Sequence, residues 1–203
     1  MSARKRKSPT PDEQRMKVLK AAGYVFGKRG YEGATLDAVA KHANATKAIV
    51  YYYFKSKNDV FFELVSSTMS RLEQYVDEVS ASGLEPREQL RLVVKNHCRL
   101  VCEHKWDTRA MMFHQALQVF SRTRRAQLAR RGRDYEDRWR NIIEKAIEAG
   151  QILDVGEPKI VIKLLLSAMN SIALWYKPSR LNSDEFSDLI VEMIVNDFLS
   201  AKA

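Results

Sequence analysis

The stretch TLDAVAKHANATKAIVYYYFKSKND, residues 35–59, packs three helix starts into a short span. Thr35 precedes Leu36, Val39, Ala40 and Ala43, whose three- and four-residue spacing predicts a short helix over 35–43 with threonine as its cap. Asn44 and Ala45 form the turn, asparagine being one of the few residues that tolerates the left-handed region. Thr46 caps the next helix, and Ser56 with Asp59 three residues later caps another. Upstream, TPDE at Thr10–Glu13 is a capping box with proline at the first helical position. Val18, Leu19, Ala22, Val25 and Phe26 then mark the buried stripe of a longer helix, for which Gly30 supplies a left-handed stop. A supporting helix followed by two short helices joined by a tight turn is a helix-turn-helix.

The helix opened by Thr46 divides by face, because residues three or four apart share a side. Val50 and Phe54 turn inward. Lys47, Ala48 and Tyr51 share another face near the helix start, the end that enters the major groove in this motif. Lysine can donate to guanine acceptors, while the alanine methyl and the tyrosine ring can meet a thymine methyl; Ile49 adds an apolar contact. Tyr52 and Tyr53 point to the groove walls, where a phenol sets its ring against sugar and donates its hydroxyl to phosphate. Thr35, Thr46 and Lys57 stand at helix N-termini, which favour phosphate. The charge agrees. Residues 1–57 hold 13 basic and 4 acidic side chains, whereas residues 58–203 hold 21 of each, so the whole net charge of +9 sits in the first quarter. Only Arg4, Lys5, Arg6 and Lys7 belong to an obvious basic tail, residues 1–9. A positive field focused on so small a segment suits a polyanion.

The run GYEGATLDAVAKHANATKAIVYYYFKSKNDVF resembles the DNA-binding domain of the TetR (tetracycline repressor) family of bacterial transcriptional regulators. The likeness runs from about Val18 to Phe62 and takes in the glycine closing the first helix, the threonine cap, the YYYF run and the lysine opening helix four. It departs at Asn44 and Ala45, where the family has glycine and valine, and at Ala48, where it has glycine. The resemblance implies an all-helical dimer that reads a palindrome in double-stranded DNA, generally a repressor released by a small ligand. It assigns residues 10–57 to DNA binding and residues 58–203 to a helical ligand-binding and dimerisation domain.

Beyond Lys57 the periodicity stays helical, so the whole chain is expected to be all-α. Helices are predicted to about Val79, then over 86–104, 108–120, 123–149, 158–176 and 183–200. The segment IVIKLLLSAMNSIALWY, residues 160–176, is shorter than a membrane span and carries Lys163, Ser167, Asn170 and Ser171; it reads as a buried helix. Being apolar nearly all round, it needs cover on two sides, and in the resembled family the last two helices pair with their symmetry mates. A homodimer through about 158–176 and 183–200 follows as an expectation.

His97, His114, Asn170 and Trp175 supply sparse polarity among apolar neighbours, as a pocket requires, although each can equally be a satisfied core residue. RTRRAQLARRGRDYEDRWR carries eight arginines between Arg122 and Arg140; it is either a solvated charged helix or a set of phosphate forks. This stretch, with DYEDRWRNIIEKAIEAGQI and MNSIALWYKPSRL, resembles a TetR subgroup responsive to acyl-CoA thioesters of lipid or steroid catabolism. That implies an acyl chain in the apolar interior and CoA phosphates near Arg130, Arg131 or Arg133. In CRLVC, Cys98 and Cys102 share a helix face and could sense metal or thiol, but the spacing is not a usual zinc pattern. No metal, cofactor or catalytic residue is assigned. With two cysteines and no apolar leader after Met1, a cytoplasmic protein is expected. An acyl-CoA-handling enzyme and an architectural DNA protein stand as rivals, though the chain shows neither nucleophile elbow nor phosphate loop.

Overall fold

The computed structural model describes residues 10–112, 114–154 and 156–199; the basic tail lies outside them. Among the described residues there are nine α-helices and no strand. Helix α1, Pro11–Gly33, opens on the expected box: Thr10 Oγ1 accepts the N–H of Glu13, and Glu13 accepts the N–H of Thr10 at 2.8 Å. Gly30 takes φ 70° as a stop requires, yet the chain resumes helical turns to Gly33, so the glycine kinks α1 rather than ending it. Helices α2, Leu36–His42, and α3, Lys47–Tyr53, flank a turn in which Asn44 has φ 49°. Val18, Phe26, Val39 and Val50 from these three helices lock together in one core with Phe54, which follows α3 directly.

Helix α4, Lys57–Ser80, crosses between two cores. Its first half gives Val60, Phe61, Leu64 and Val65 to the N-terminal core, and its second half gives Val76 and Val79 to the C-terminal one. Helices α5, Pro86–Glu103, α7, Arg122–Glu148, α8, Pro158–Trp175, and α9, Ser183–Val191, build the latter around Trp139, with α9 running on as a π-helical segment, Glu192–Phe198. The region expected as a helix over 108–120 differs. Helix α6 is Lys105–Met112, starting directly after the break at His104, and a 3-10 segment, His114–Val119, follows. The break at His104 falls where the preceding helix was expected to end, but neither glycine nor proline lies between Lys105 and Val119, so the sequence offered no punctuation for the early start of α6 or its change to a 3-10 segment.

Helix α1 reaches α6 closely. A Cβ on Gly23 would stand 1.8 Å from Asp107 Oδ1, and one on Gly27 2.3 Å from the Trp106 carbonyl oxygen. Two glycines one turn apart therefore let the supporting helix of the N-terminal unit lie directly on the larger body.

Helix α8 corrects the expectation of a buried helix. Ile162, Leu165, Met169 and Ile172 enter the core, but Ile160, Leu164 and Trp175 are exposed. By length and composition α8 could cross a membrane, but its inner stripe is already packed in the C-terminal core.

Candidate nucleic-acid interface and effector cavity

Helices α2 and α3 are each held by a threonine. Thr35 Oγ1 accepts the N–H of Ala38 at 3.1 Å, and Thr46 Oγ1 that of Ile49 at 3.3 Å. With Val50 fully buried and Phe54 nearly so, the rotation of α3 is fixed, and Ala48, Tyr51 and Tyr52 are left outside. Tyr52 is 81% exposed, extreme for an aromatic ring on a folded surface, and Tyr53 packs edge-on against it at 5.0 Å. Ile49 and Tyr53 are half-buried.

Two cations have partners that sequence reasoning missed. Lys47 Nζ lies 2.9 Å from Asp37 of α2, and that carboxylate, first by its hydrogen bond and then by its charge, raises the lysine pKa above its ordinary value. Lys57 opens α4 as expected, but its Nζ donates to the Glu32 carbonyl at 3.3 Å and lies 4.4 Å from the centre of the Tyr31 ring. Both partners sit well outside the three- or four-residue spacing that periodicity can detect. Behind this surface, Asp59 of the Ser56 cap receives Arg124 at 2.7 Å, and Arg124 Nη1 also donates to Asn58 Oδ1. The Arg124 hydrogen bond holds the Asp59 carboxyl below the usual carboxylate range. Helix α7 is thereby tied to the start of α4, just beyond α3.

A cavity of about 270 Å³ lies between α4, α5, α6, α7 and α8, walled by Leu72, Leu100, Met111 and Leu166. Its polar element spans three helices. His97 Nδ1 is 2.9 Å from Tyr135 Oη, and Nε2 is 3.2 Å from Asn170 Oδ1. Because an amide oxygen only accepts, Nε2 carries the proton, Nδ1 accepts from the tyrosine, and the Asn170 N–H groups remain for an occupant. Burial pushes the His97 pKa down to about 4, so the ring is neutral. With both nitrogens engaged it has no free lone pair for the base role an enzyme would need. Tyr135, raised well above its ordinary pKa by burial, was absent from the expected lining because arginines dominate its helix.

The remaining expected ligand residues scatter. Arg131 is spent on Glu73, its Nε and Nη2 reaching the carboxylate at 2.8 and 2.6 Å. Arg130 and Arg133 are exposed and do not line the cavity. Gly132 between them does, and a Cβ there would meet nothing within 4 Å, so open space lies beside it. Trp175 points outward and packs edge-on against Phe186. The side chain of His114 lies outside the described residues. Cys98 and Cys102 are buried, and burial pushes both thiols up to about 12, which removes the thiolate that a metal or thiol sensor would use.

Residues 18–64 match the N-terminal model described as bacterial regulatory proteins, tetR family, and residues 83–198 match the tetracyclin repressor-like C-terminal domain. The chain is 24% identical over 196 residues to the HTH-type transcriptional regulator HbdR of Aromatoleum sp. (strain CIB), covering 94% of this chain and 83% of that one. The ketosteroid transcriptional regulator KstR2 of Mycobacterium tuberculosis superposes with a TM-score of 0.82 at 18% identity, over 93% of this chain and 96% of that one. AibR, solved in complex with isovaleryl coenzyme A and operator DNA, superposes with a TM-score of 0.75 at 23% identity, over 90% and 98%.

Proposed function

The chain belongs to the TetR family of bacterial regulatory proteins, and we propose that it is a dimeric repressor that binds a palindromic operator and lets go when a small effector fills its cavity. Residues 10–57 form the DNA-reading unit and residues 58–203 the ligand-binding and dimerisation unit. The observation that carries this reading is the outer face of α3. Tyr51 and Tyr52 are exposed beside Lys47 and Lys55, in the quarter of the chain that holds all the net charge. Lys47, Ala48 and Tyr51 meet base edges, with Ile49 adding apolar contact. Tyr52 and Tyr53 meet the backbone, as do the helix starts at Thr35, Thr46 and Lys57. The protein works in the cytoplasm, on the nucleoid.

The effector is an acyl-CoA thioester, by analogy with the isovaleryl coenzyme A held by AibR. The cavity suits a short or branched acyl group, with the Asn170 N–H groups donating to the thioester carbonyl. The pantetheine leaves beside Gly132, and phosphates meet Arg133, Arg130 and, if Glu73 releases it, Arg131. Helices α8 and α9 supply the dimer contact, since Ile160, Leu164, Trp175, Leu189 and Met193 are exposed together. Footprinting on DNA upstream of its own gene tests the regulator: a protected palindrome is expected, and uniform coating sinks it. A panel of acyl-CoA thioesters then tests the effector; release of the operator is expected, and release only by another metabolite class overturns it.

A further inference from the structure

Outside the cavity, a groove of about 520 Å³ lies between α1 and the α4–α6 pair. Its floor is the buried Leu19 and the exposed Met16, and its rim carries Lys17, Lys20, Arg71 and His104. Two acids share the rim and both are engaged. Glu13 accepts the N–H of Thr10, and Asp107 accepts from Arg71 Nη2 at 3.0 Å. Among the described residues no carboxylate lies within ion-pair distance of Lys17 or Lys20.

Arg71 is the strongest pointer to an occupant. Its Nη2 serves Asp107 and Thr68, but its Nε is buried without an acceptor. Its Nη1 is neither sealed from solvent nor bonded to any acceptor among the described residues, and so has donor capacity left for an occupant of the groove. The groove also stands back to back with the cavity. Ser67 and Asp107 face the groove, whereas their neighbours Thr68 and Thr108 line the cavity.

We propose that this groove is a second ligand site, taking an amphiphile with an anionic head, carboxylate or phosphate. The head accepts from Arg71 Nη1 and the two lysines, and the tail lies on Met16, Leu19 and the lysine stems. Its occupant touches α1 on one side and α4 and α6 on the other, and so braces the seam where Gly23 and Gly27 bring α1 onto α6. The inference rests on the fold and not on the effector reading.

The test is a melting and equilibrium titration of the full-length protein with decanoate, decyl phosphate and inorganic phosphate, none of which carries coenzyme A. Both amphiphiles should raise the melting temperature saturably, and inorganic phosphate should bind at least tenfold more weakly. Whichever amphiphile binds more tightly identifies the head. The double variant Lys17→Gln, Lys20→Gln should weaken amphiphile binding at least tenfold, while Gly132→Trp, which puts a bulky ring into the open space at the cavity wall, should leave it unchanged. Equal binding by the lysine variant, loss of binding in Gly132→Trp, or no saturable shift in the wild type would each overturn the proposal. Failure of acyl-CoA thioesters to release the operator would leave it standing.

Discussion

Two surfaces of this molecule expose large apolar side chains, and they differ in the company those side chains keep. On α3, Tyr51 and Tyr52 stand among Lys47, Lys55 and Lys57, with hydroxyls on their rings. On α8, Ile160, Leu164, Ala168, Ser171 and Trp175 recur at spacings of four, four, three and four, a stripe without one charge. Exposed apolar surface amid cations suits a partner that offers both phosphate and base edges. Exposed apolar surface without cations suits another apolar surface, and α9 extends it with Leu189 and Met193. In the proposed dimer the two are mechanically linked, because each α3 would see only one half-site and the α8–α9 face would hold two of them at a fixed spacing.

Breaking the uncharged surface should therefore have the largest effect on the charged one. Leu164→Glu with Met193→Glu places carboxylates on both exposed helices while leaving the buried stripe intact. Sedimentation should show monomers, circular dichroism an unchanged helical fold, and operator affinity a loss of at least about 100-fold, or about 3 kcal/mol. A dimer that survives both charges sinks the assignment of this face.

The interior behind these surfaces has its own signature. The folded pKa of His97, about 4, is below its unfolded value of 6.5, so the unfolded chain binds the extra proton. Stability should be unaffected by this group above pH 6.5, fall as pH drops below it, and have lost about 3 kcal/mol by pH 4. Denaturant midpoints against pH measure the slope. His97→Gln should flatten that segment, and an equally steep fall in the variant would assign the loss to other groups.

The seam between the two regions gives the next effect. A methyl group at Gly27 meets main-chain atoms of Trp106, which cannot rotate away. Gly27→Ala should cost about 2 kcal/mol in denaturant unfolding despite the better helix propensity of alanine. A neutral or stabilising result would show that α1 and α6 part easily.

What the sequence made legible was mostly local. The Thr10–Glu13 box and the Ser56–Asp59 cap connect residues three apart, so they could be read directly, and they set the starts of α1 and α4. The outward face of α3 followed from its two buried anchors, Val50 and Phe54. The cavity did not, because His97 meets Tyr135 and Asn170 across 38 and 73 residues. One misplacement was avoidable. Trp175 lies five positions beyond Asn170, about 140° further round the helix, and so could not share its cavity. Lys47 with Asp37, by contrast, is a pairing that only the angle between α2 and α3 creates.

That pairing yields the smallest effect and the finest test of the charged surface. Lys47 is held by Asp37 in the free protein, so any bond it makes to a base replaces an ion pair already present. Both side chains are more than half exposed, and the pair is correspondingly weak. Lys47→Ala should then reduce the ratio of operator to random-DNA affinity by about fivefold to tenfold. Asp37→Asn should act in the opposite direction, strengthening operator binding by freeing the ammonium. If Lys47 serves only phosphate, Lys47→Ala lowers affinity equally on operator and random DNA, and the slope of log affinity against log salt falls by about one. Equal loss on both would move Lys47 from the base-reading set to the backbone set, leaving Ala48 and Tyr51 as the residues of α3 that read sequence.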